Sequence, residues 1–183
     1  MKNVMLLTGA GQIGMAIARR VGYGMKIVIA DKKAENAQAI SKTMNEAGFD
    51  TVAVQMDLAS RTSIQAAIAK AQQYGPITKL VNAAGVSPSQ APVDVILKVD
   101  LYGTAVLLEE VGKVIAPGGV GVTISSPATG CPRSRPRRMR CWPAHRLRSC
   151  CSWICSGRSM SGIRFTPTRS PSAAMRSVSW PSR

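Results

Sequence analysis

The chain has 183 residues and a formal net charge of +15, but this charge is unevenly spread. Residues 1–130 carry 12 Lys and Arg against 9 Asp and Glu, whereas residues 131–183 carry 12 Arg and neither Lys nor acid. All five Cys and all three Trp lie in the second part, and all three Tyr lie in the first. A domain boundary shifts composition, but it seldom removes every Lys, Asp and Glu from a segment this long. We therefore divide the chain into a globular domain, 1–130, and a basic tail, 131–183, that we expect to be disordered.

The absence of cysteine from residues 1–130 excludes a disulfide framework there and favours a reducing compartment. The apolar run Val4–Leu7 is too short for the apolar region of a signal peptide. No run approaches the roughly 20 apolar residues that a membrane span needs. We expect a cytoplasmic protein with no membrane partner.

Short apolar runs alternate with helical patterns through the first part of the chain. The runs predict strands over residues 4–8, 26–31, 51–57, 78–85 and 120–126. Between them, apolar spacing predicts helices from residue 13 onward and over residues 34–48, 63–75 and 93–115. This alternation is typical of βαβ units with right-handed crossovers. The predicted fold class is α/β, a doubly wound parallel sheet that is truncated after about the fifth strand.

The stretch TGAGQIG (Thr8–Gly14) contains G-x-G-x-x-G between a predicted strand and a predicted helix. In that context Gly9 permits a tight turn, Gly11 lets the backbone approach a pyrophosphate, and Gly14 lets helix and strand pack closely. The helix N-terminus adds free N–H groups and a positive dipole end. The pattern predicts a dinucleotide site in a Rossmann-type domain; a glycine-rich turn without a ligand is the alternative.

Asp31 ends the second predicted strand, where a carboxylate can accept hydrogen bonds from the ribose hydroxyls and repel a 2′-phosphate. This residue favours NAD over NADP. Lys32 and Lys33 follow it, and a cation beside the ribose would tolerate that phosphate. We favour the alternative for both lysines, which is that they are solvated residues at the start of a helix.

With these features, residues 1–130 resemble the short-chain dehydrogenase/reductase family. The turn TGAGQIG, which includes Gln12 and Ile13, resembles the family's glycine-rich turn but is one residue shorter than TGxxxGxG. The stretch MDL places Asp57 and Leu58 where the family has an acid that contacts the adenine. The stretch NAAG resembles the family's NNAG and supplies the cofactor-binding candidates Asn82, Ala83 and Gly85.

Two further stretches resemble the family's catalytic segments. VDLYGT (Val99–Thr104) corresponds to the segment with a catalytic Asn, and Asp100 stands in its place. ISS (Ile124–Ser126) corresponds to the strand end that supplies the catalytic serine, so Ser126 would donate a hydrogen bond to the substrate oxygen. The resemblance implies an NAD(P)-dependent oxidoreductase acting on a small alcohol or ketone, in a family whose members are usually homo-oligomers.

The family also uses a catalytic tyrosine followed four residues later by a lysine, and this chain has neither residue type after Lys113. We interpret the tail as a frame-shifted translation. Read from the third base of each codon, Cys141–Trp142 must encode Leu and Trp153–Ile154 must encode Asp. The stretch Phe165–Ala174 permits codons for Y-x-x-x-K in that frame. We therefore expect this chain to be inactive or nearly so.

Three other interpretations remain open. The chain could be a dinucleotide-binding module without catalysis. The tail could be a nucleic-acid-binding arm, in which arginines contact phosphates and Trp142, Trp153 and Trp180 stack on bases. The tail could also bind a metal, but it has no C-x-x-C pair, so its spacing is poor for zinc. We rank the nucleic-acid and metal interpretations below the frame shift.

Overall fold

The structure, a computed structural model, describes residues 2–125 together with two strands at residues 164–167 and 175–179. Five strands form a parallel sheet in the order β3-β2-β1-β4-β5. Their bounds are β1 (Val4–Thr8), β2 (Lys26–Asp31), β3 (Asp50–Gln55), β4 (Ile77–Asn82) and β5 (Val120–Ile124). This order confirms the doubly wound α/β sheet. It also places the point at which the strand order reverses between β1 and β4, where such sheets bind ligands.

Helices connect the parallel strands, as the alternation of patterns predicted. They are α1 (Gln12–Val21), α2 (Ala34–Glu46) and α3 (Arg61–Gln72), followed by a longer helical stretch before β5. That stretch begins as α4 (Val93–Ile96), widens into a π-helical segment (Leu97–Gly103) and continues as α5 (Thr104–Gly112). The sequence predicted one regular helix here, so the π-helical segment is a correction. Such segments are rare and occur frequently at functional sites.

The alternating side chains of β1 build two separate cores, one on each face of the sheet. Val4 and Leu6 pack with the apolar faces of α3 and α5, and Met5 and Leu7 pack with α1 and α2. All four are fully buried. A strand buried on both faces must be apolar throughout, which is why this run lacks the polar alternation of a half-exposed strand.

Two strands that the sequence did not predict extend the sheet beyond β5. They are β6 (Arg164–Pro167) and β7 (Met175–Ser179), and β7 pairs antiparallel with both β5 and β6. These two segments are strands that the composition of the tail did not indicate. The physical reason is that β5 would otherwise end the sheet with unpaired backbone groups, and an edge of that kind accepts any strand that can reach it.

Ser126 lies outside the described residues, as does the tail apart from β6 and β7, including its cysteines and tryptophans. The frame-shift, metal and nucleic-acid interpretations of the tail thus stay predictions. Within the described part of the chain, no helix is long and apolar enough to cross a membrane.

Candidate cofactor site

The carboxyl ends of β1, β2 and β4 meet at the glycine turn. The Gly9 N–H donates to the Ala30 carbonyl of β2 at 2.8 Å, and the Ala83 N–H donates to the Thr8 carbonyl of β1 at 2.9 Å. These two bonds continue the sheet ladder beyond the strands themselves. They fix the start of the turn against both neighbouring strands, so its position is set before α1 begins.

Gly9 and Gly14 are required by close contacts. Gly9 has φ of +89°, and a Cβ atom there would lie 2.6 Å from the Ala84 backbone nitrogen. A Cβ at Gly14 would lie 2.7 Å from the Gly9 carbonyl oxygen and 3.4 Å from the Ala83 methyl group. The distances of 2.6 Å at Gly9 and 2.7 Å at Gly14 are too short for any side chain. The two glycines therefore let the turn and the start of α1 pack directly onto the loop after β4.

Gly11 has a different environment, since a Cβ there would meet nothing within 4 Å. It is the N-cap of α1, no side chain caps the helix, and the first turn carries no acidic residue. The helix therefore directs its first N–H groups and positive dipole end into open space, which is the arrangement that anion binding needs. Ile13 leaves 57% of its surface exposed beside this opening, and Gln12 is exposed as well. The residues at this turn fit the pyrophosphate of a dinucleotide.

Asp31 connects the glycine turn to the start of α2. One carboxylate oxygen accepts a hydrogen bond from the Ala10 N–H at 2.8 Å, and the other accepts one from the Lys33 N–H at 2.9 Å. A carboxylate has about four acceptor positions, so both oxygens retain the capacity to accept from ribose hydroxyls. Asp31 thus lies where the sequence analysis placed it, and it also orders the turn.

Lys32 follows Asp31 in the chain but is paired with a different acid. Its Nζ is 3.6 Å from Asp57 Oδ2, and its side chain is 70% exposed. The other Asp57 oxygen accepts from the Ala59 N–H at 2.8 Å. Next to Asp57, the Leu58 carbonyl packs against the π-helical segment, where a Cβ at Gly103 would lie 2.6 Å from it. Asp57 and Leu58 therefore lie beyond the end of β3, between Lys32 and the π-helical segment.

Asn82 belongs to a buried polar chain that the sequence analysis did not find. The Thr8 hydroxyl donates to Asn82 Oδ1 at 2.6 Å, and Asn82 Nδ2 donates to the Thr104 hydroxyl at 3.2 Å. Thr8 is fully buried, and Asn82 is 1% exposed. The sequence carried one sign of this chain: Thr8 and Asn82 are polar residues that end two predicted strands. The structure shows that these two residues pair in the β1–β4 ladder.

Asp100, the candidate that replaces the family's catalytic Asn, contacts the loop after β4. Its Oδ1 accepts a hydrogen bond from the Val86 N–H at 3.0 Å, and a Cβ at Gly85 would lie 3.3 Å from the same oxygen. The side chain thus holds the loop that carries Ala83 and Gly85. A part in proton transfer stays a prediction, as does the role of Ser126.

Comparison with known proteins identifies the family. The family profile described as short chain dehydrogenase matches residues 3–135. A short-chain dehydrogenase/reductase, bsc3, of Alternaria brassicicola is 36% identical over 125 residues, which are 68% of this chain and 46% of that protein. The short-chain reductase NovJ of Streptomyces niveus is 30% identical over 134 residues, 68% of this chain and 51% of that protein. This chain therefore spans about half the length of these curated relatives.

Solved structures give the same assignment. A short-chain dehydrogenase/reductase from Burkholderia phymatum in complex with NAD superposes with a TM-score of 0.56 at 25% identity, covering 62% of this chain and 44% of that one. A variant of the actinorhodin polyketide ketoreductase with NADPH superposes with a TM-score of 0.55 at 29% identity, covering 61% and 47%. The chain belongs to the short-chain dehydrogenase family, which confirms the resemblance seen in its sequence. These two neighbours hold different cofactors, so they leave the choice between NAD and NADP open.

Proposed function

We propose that residues 1–125 form the cofactor-binding part of a cytoplasmic oxidoreductase that uses NAD(H) and acts on a small alcohol or ketone. The observation that carries this proposal is Asp31, which joins the glycine turn to α2 and retains free acceptor positions. The open N-terminus of α1 supports it, because the pyrophosphate and the ribose of one dinucleotide can be held there together.

The preference for NAD rests on the charges at the ribose corner. A 2′-phosphate carries negative charge and would be placed next to the Asp31 carboxylate, which repels it. Lys32, which follows Asp31 in the chain, is paired with Asp57, so a 2′-phosphate that drew on this cation would have to replace that exposed ion pair. An exposed pair is worth only about 0–1 kcal/mol, so the repulsion by Asp31 decides the preference.

The chemistry of the bound cofactor is the transfer of a hydride. The glycine turn and the N-terminus of α1 would hold the pyrophosphate of this cofactor, Asp31 would hold its ribose, and the loop after β4 would close the crevice. A general acid for the substrate oxygen has no candidate at the family position, because the sequence has no Tyr or Lys after Lys113. This absence favours the second candidate function, a dinucleotide-binding module without catalysis.

Calorimetric titration of the full chain with NADH and NADPH tests the proposed preference. We expect tighter binding of NADH, and we expect Asp31→Ala to weaken NADH binding and to reduce the ratio between the two cofactors. Asp94→Ala removes an acid from α4 and serves as the matched control, with binding unchanged. Far-UV circular dichroism verifies that each variant is folded. Tighter NADPH binding by the parent chain would refute the preference, and binding of neither cofactor would refute the function.

A further inference from the structure

We propose that Thr104 is a positioning residue for the glycine turn, acting through Asn82 and Thr8. This inference rests on the proposed function only where it concerns cofactor affinity. None of these three side chains was assigned such a role by the sequence pattern. Thr104 is the first residue of α5 and follows the π-helical segment directly, so it joins that helix to the cofactor site.

The two bond lengths establish the direction of the chain. The contact of 2.6 Å between Thr8 Oγ1 and Asn82 Oδ1 fits an O–H···O bond, and it is short for an N–H···O bond. The contact of 3.2 Å between Asn82 Nδ2 and Thr104 Oγ1 fits an amide donor. The Thr8 hydroxyl therefore donates its only hydrogen bond to Asn82, and the Thr104 hydroxyl oxygen accepts a hydrogen bond from the Asn82 amide. The orientation of the amide is thus fixed at both ends.

Thr8 transmits this orientation to the glycine turn. It immediately precedes Gly9, and its carbonyl accepts from the Ala83 N–H. Both its side chain and its backbone are therefore bound to the end of β4. A buried amide that loses its partner must rotate or admit water, since an unsatisfied buried donor is costly. Rotation of the Asn82 amide would release Thr8 and thereby the start of the turn.

The helix holds the end of β4 at a second point, four residues before Thr104. Asp100 accepts from the Val86 N–H, and residues four apart lie on the same face of a helix. The helix therefore holds β4 through Asn82 and the loop after it through Val86. Two attachments on one face fix the angle of the helix as well as its distance from the strand.

The test compares Thr104→Val with Thr104→Ser in the full chain. Valine matches threonine in shape and lacks the acceptor, whereas serine keeps the hydroxyl. In the cofactor-free protein we expect Thr104→Val to shift the Gly9 amide and Asn82 side-chain amide resonances, and Thr104→Ser to restore them. The dissociation constant for NADH should rise about fivefold or more with valine and stay near the parent value with serine. Thr43→Val, an exposed threonine-to-valine change in the last turn of α2, is the matched control and should alter neither measurement.

A double-mutant cycle separates positioning from a general loss of stability. If Thr8 and Thr104 act through one amide, Thr8→Val and Thr104→Val should have non-additive effects on the Gly9 resonance. Additive effects would overturn the proposal, and so would a Thr104→Val chain that is less stable but has unchanged Gly9 and Asn82 resonances. The resonances are measured without cofactor, so a failure of NADH to bind would count against the proposed function alone.

Discussion

Gly9 and Gly48 have nearly equal positive φ angles but differ in what surrounds them. Their φ values are +89° and +86°, and only Gly9 has backbone atoms where a side chain would begin. Gly48→Ala should cost about 1–2 kcal/mol of unfolding free energy, the strain of a left-handed residue. Gly9→Ala adds a collision with Ala84 and should cost more than about 3 kcal/mol.

Urea unfolding of both glycine variants measures this difference. The comparison isolates the close approach of two backbone segments, because the strain of a positive φ is common to both positions. Equal destabilisation by the two changes would mean that the loop after β4 moves aside at little cost, and the packing argument for the glycine turn would be wrong.

Asp100 offers a second test at the scale of one residue. Its Oδ1 accepts from the Val86 N–H, and an asparagine Oδ1 can accept in the same way. Asp100→Asn should therefore keep the unfolding free energy within about 0.5 kcal/mol of the parent. Asp100→Ala removes the acceptor and should cost about 0.5–1.5 kcal/mol in urea unfolding. If both variants lost the same free energy of unfolding, the charge of the carboxylate would matter and its hydrogen bond with the Val86 N–H would not.

At the scale of elements, an ion cluster joins α3 to α5. Arg61 contacts Glu109 through two hydrogen bonds, of 2.9 and 3.2 Å, and it also bonds Glu110, which is 7% exposed. Lys113 pairs with both acids. Arg61 is the main reason that the pKa of Glu109 falls from its ordinary 4.5 to about 2, with Lys113 contributing. Lys113 and Gln65 lower the pKa of Glu110.

The cluster predicts a loss of stability in acid. A carboxylate with a lowered pKa stabilises the fold fully above its ordinary pKa, and this contribution disappears as the pH falls toward the folded value. For Glu109 the window is pH 4.5 to about 2. The urea midpoint should therefore decline across that window, and Glu109→Gln should flatten the decline. Asp50, whose pKa is lowered chiefly by Lys26, keeps its own contribution in both chains. Parallel pH profiles of the parent and Glu109→Gln would contradict the prediction.

The sequence predicted elements that depend on local periodicity and missed those that depend on distant neighbours. All five parallel strands were predicted because each is a short apolar run, although three extended beyond the true ends at Gln55, Asn82 and Ile124. The π-helical segment was missed because its side-chain pattern fits a regular helix equally well. At the site, Gly9, Gly14 and Asp31 follow from their position in the βαβ unit. The chain from Thr8 to Thr104 does not, because it requires the strand register and the helix position together.

At the scale of the whole molecule, the globular domain and the basic tail differ in how consistently their sequences specify a structure. Residues 2–125 agree at every level, from strand pattern to core packing to crevice, as expected of a sequence selected to fold. Residues 131–183 contain no acid that could pair with their arginines, and they contain no lysine. The strands β6 and β7 show only that the free edge of β5 can be paired. They supply no residue of the Y-x-x-x-K type.

The last prediction concerns activity and the origin of the tail. We expect this chain to bind NADH yet to oxidise secondary alcohols with NAD at a rate reduced by about 10²–10⁴ or more, because the acid/base group for the substrate oxygen is missing. We expect the nucleotide sequence from codon 131 to keep an open alternative frame that encodes Y-x-x-x-K. A matched chain with that frame restored should recover activity, and Ser126→Ala in the restored chain should abolish most of it. Turnover by the present chain at the rate of the restored one would show that its proton donor lies elsewhere. Stop codons in the alternative frame would exclude the frame-shift interpretation, and the nucleic-acid-binding arm would then rank ahead of it.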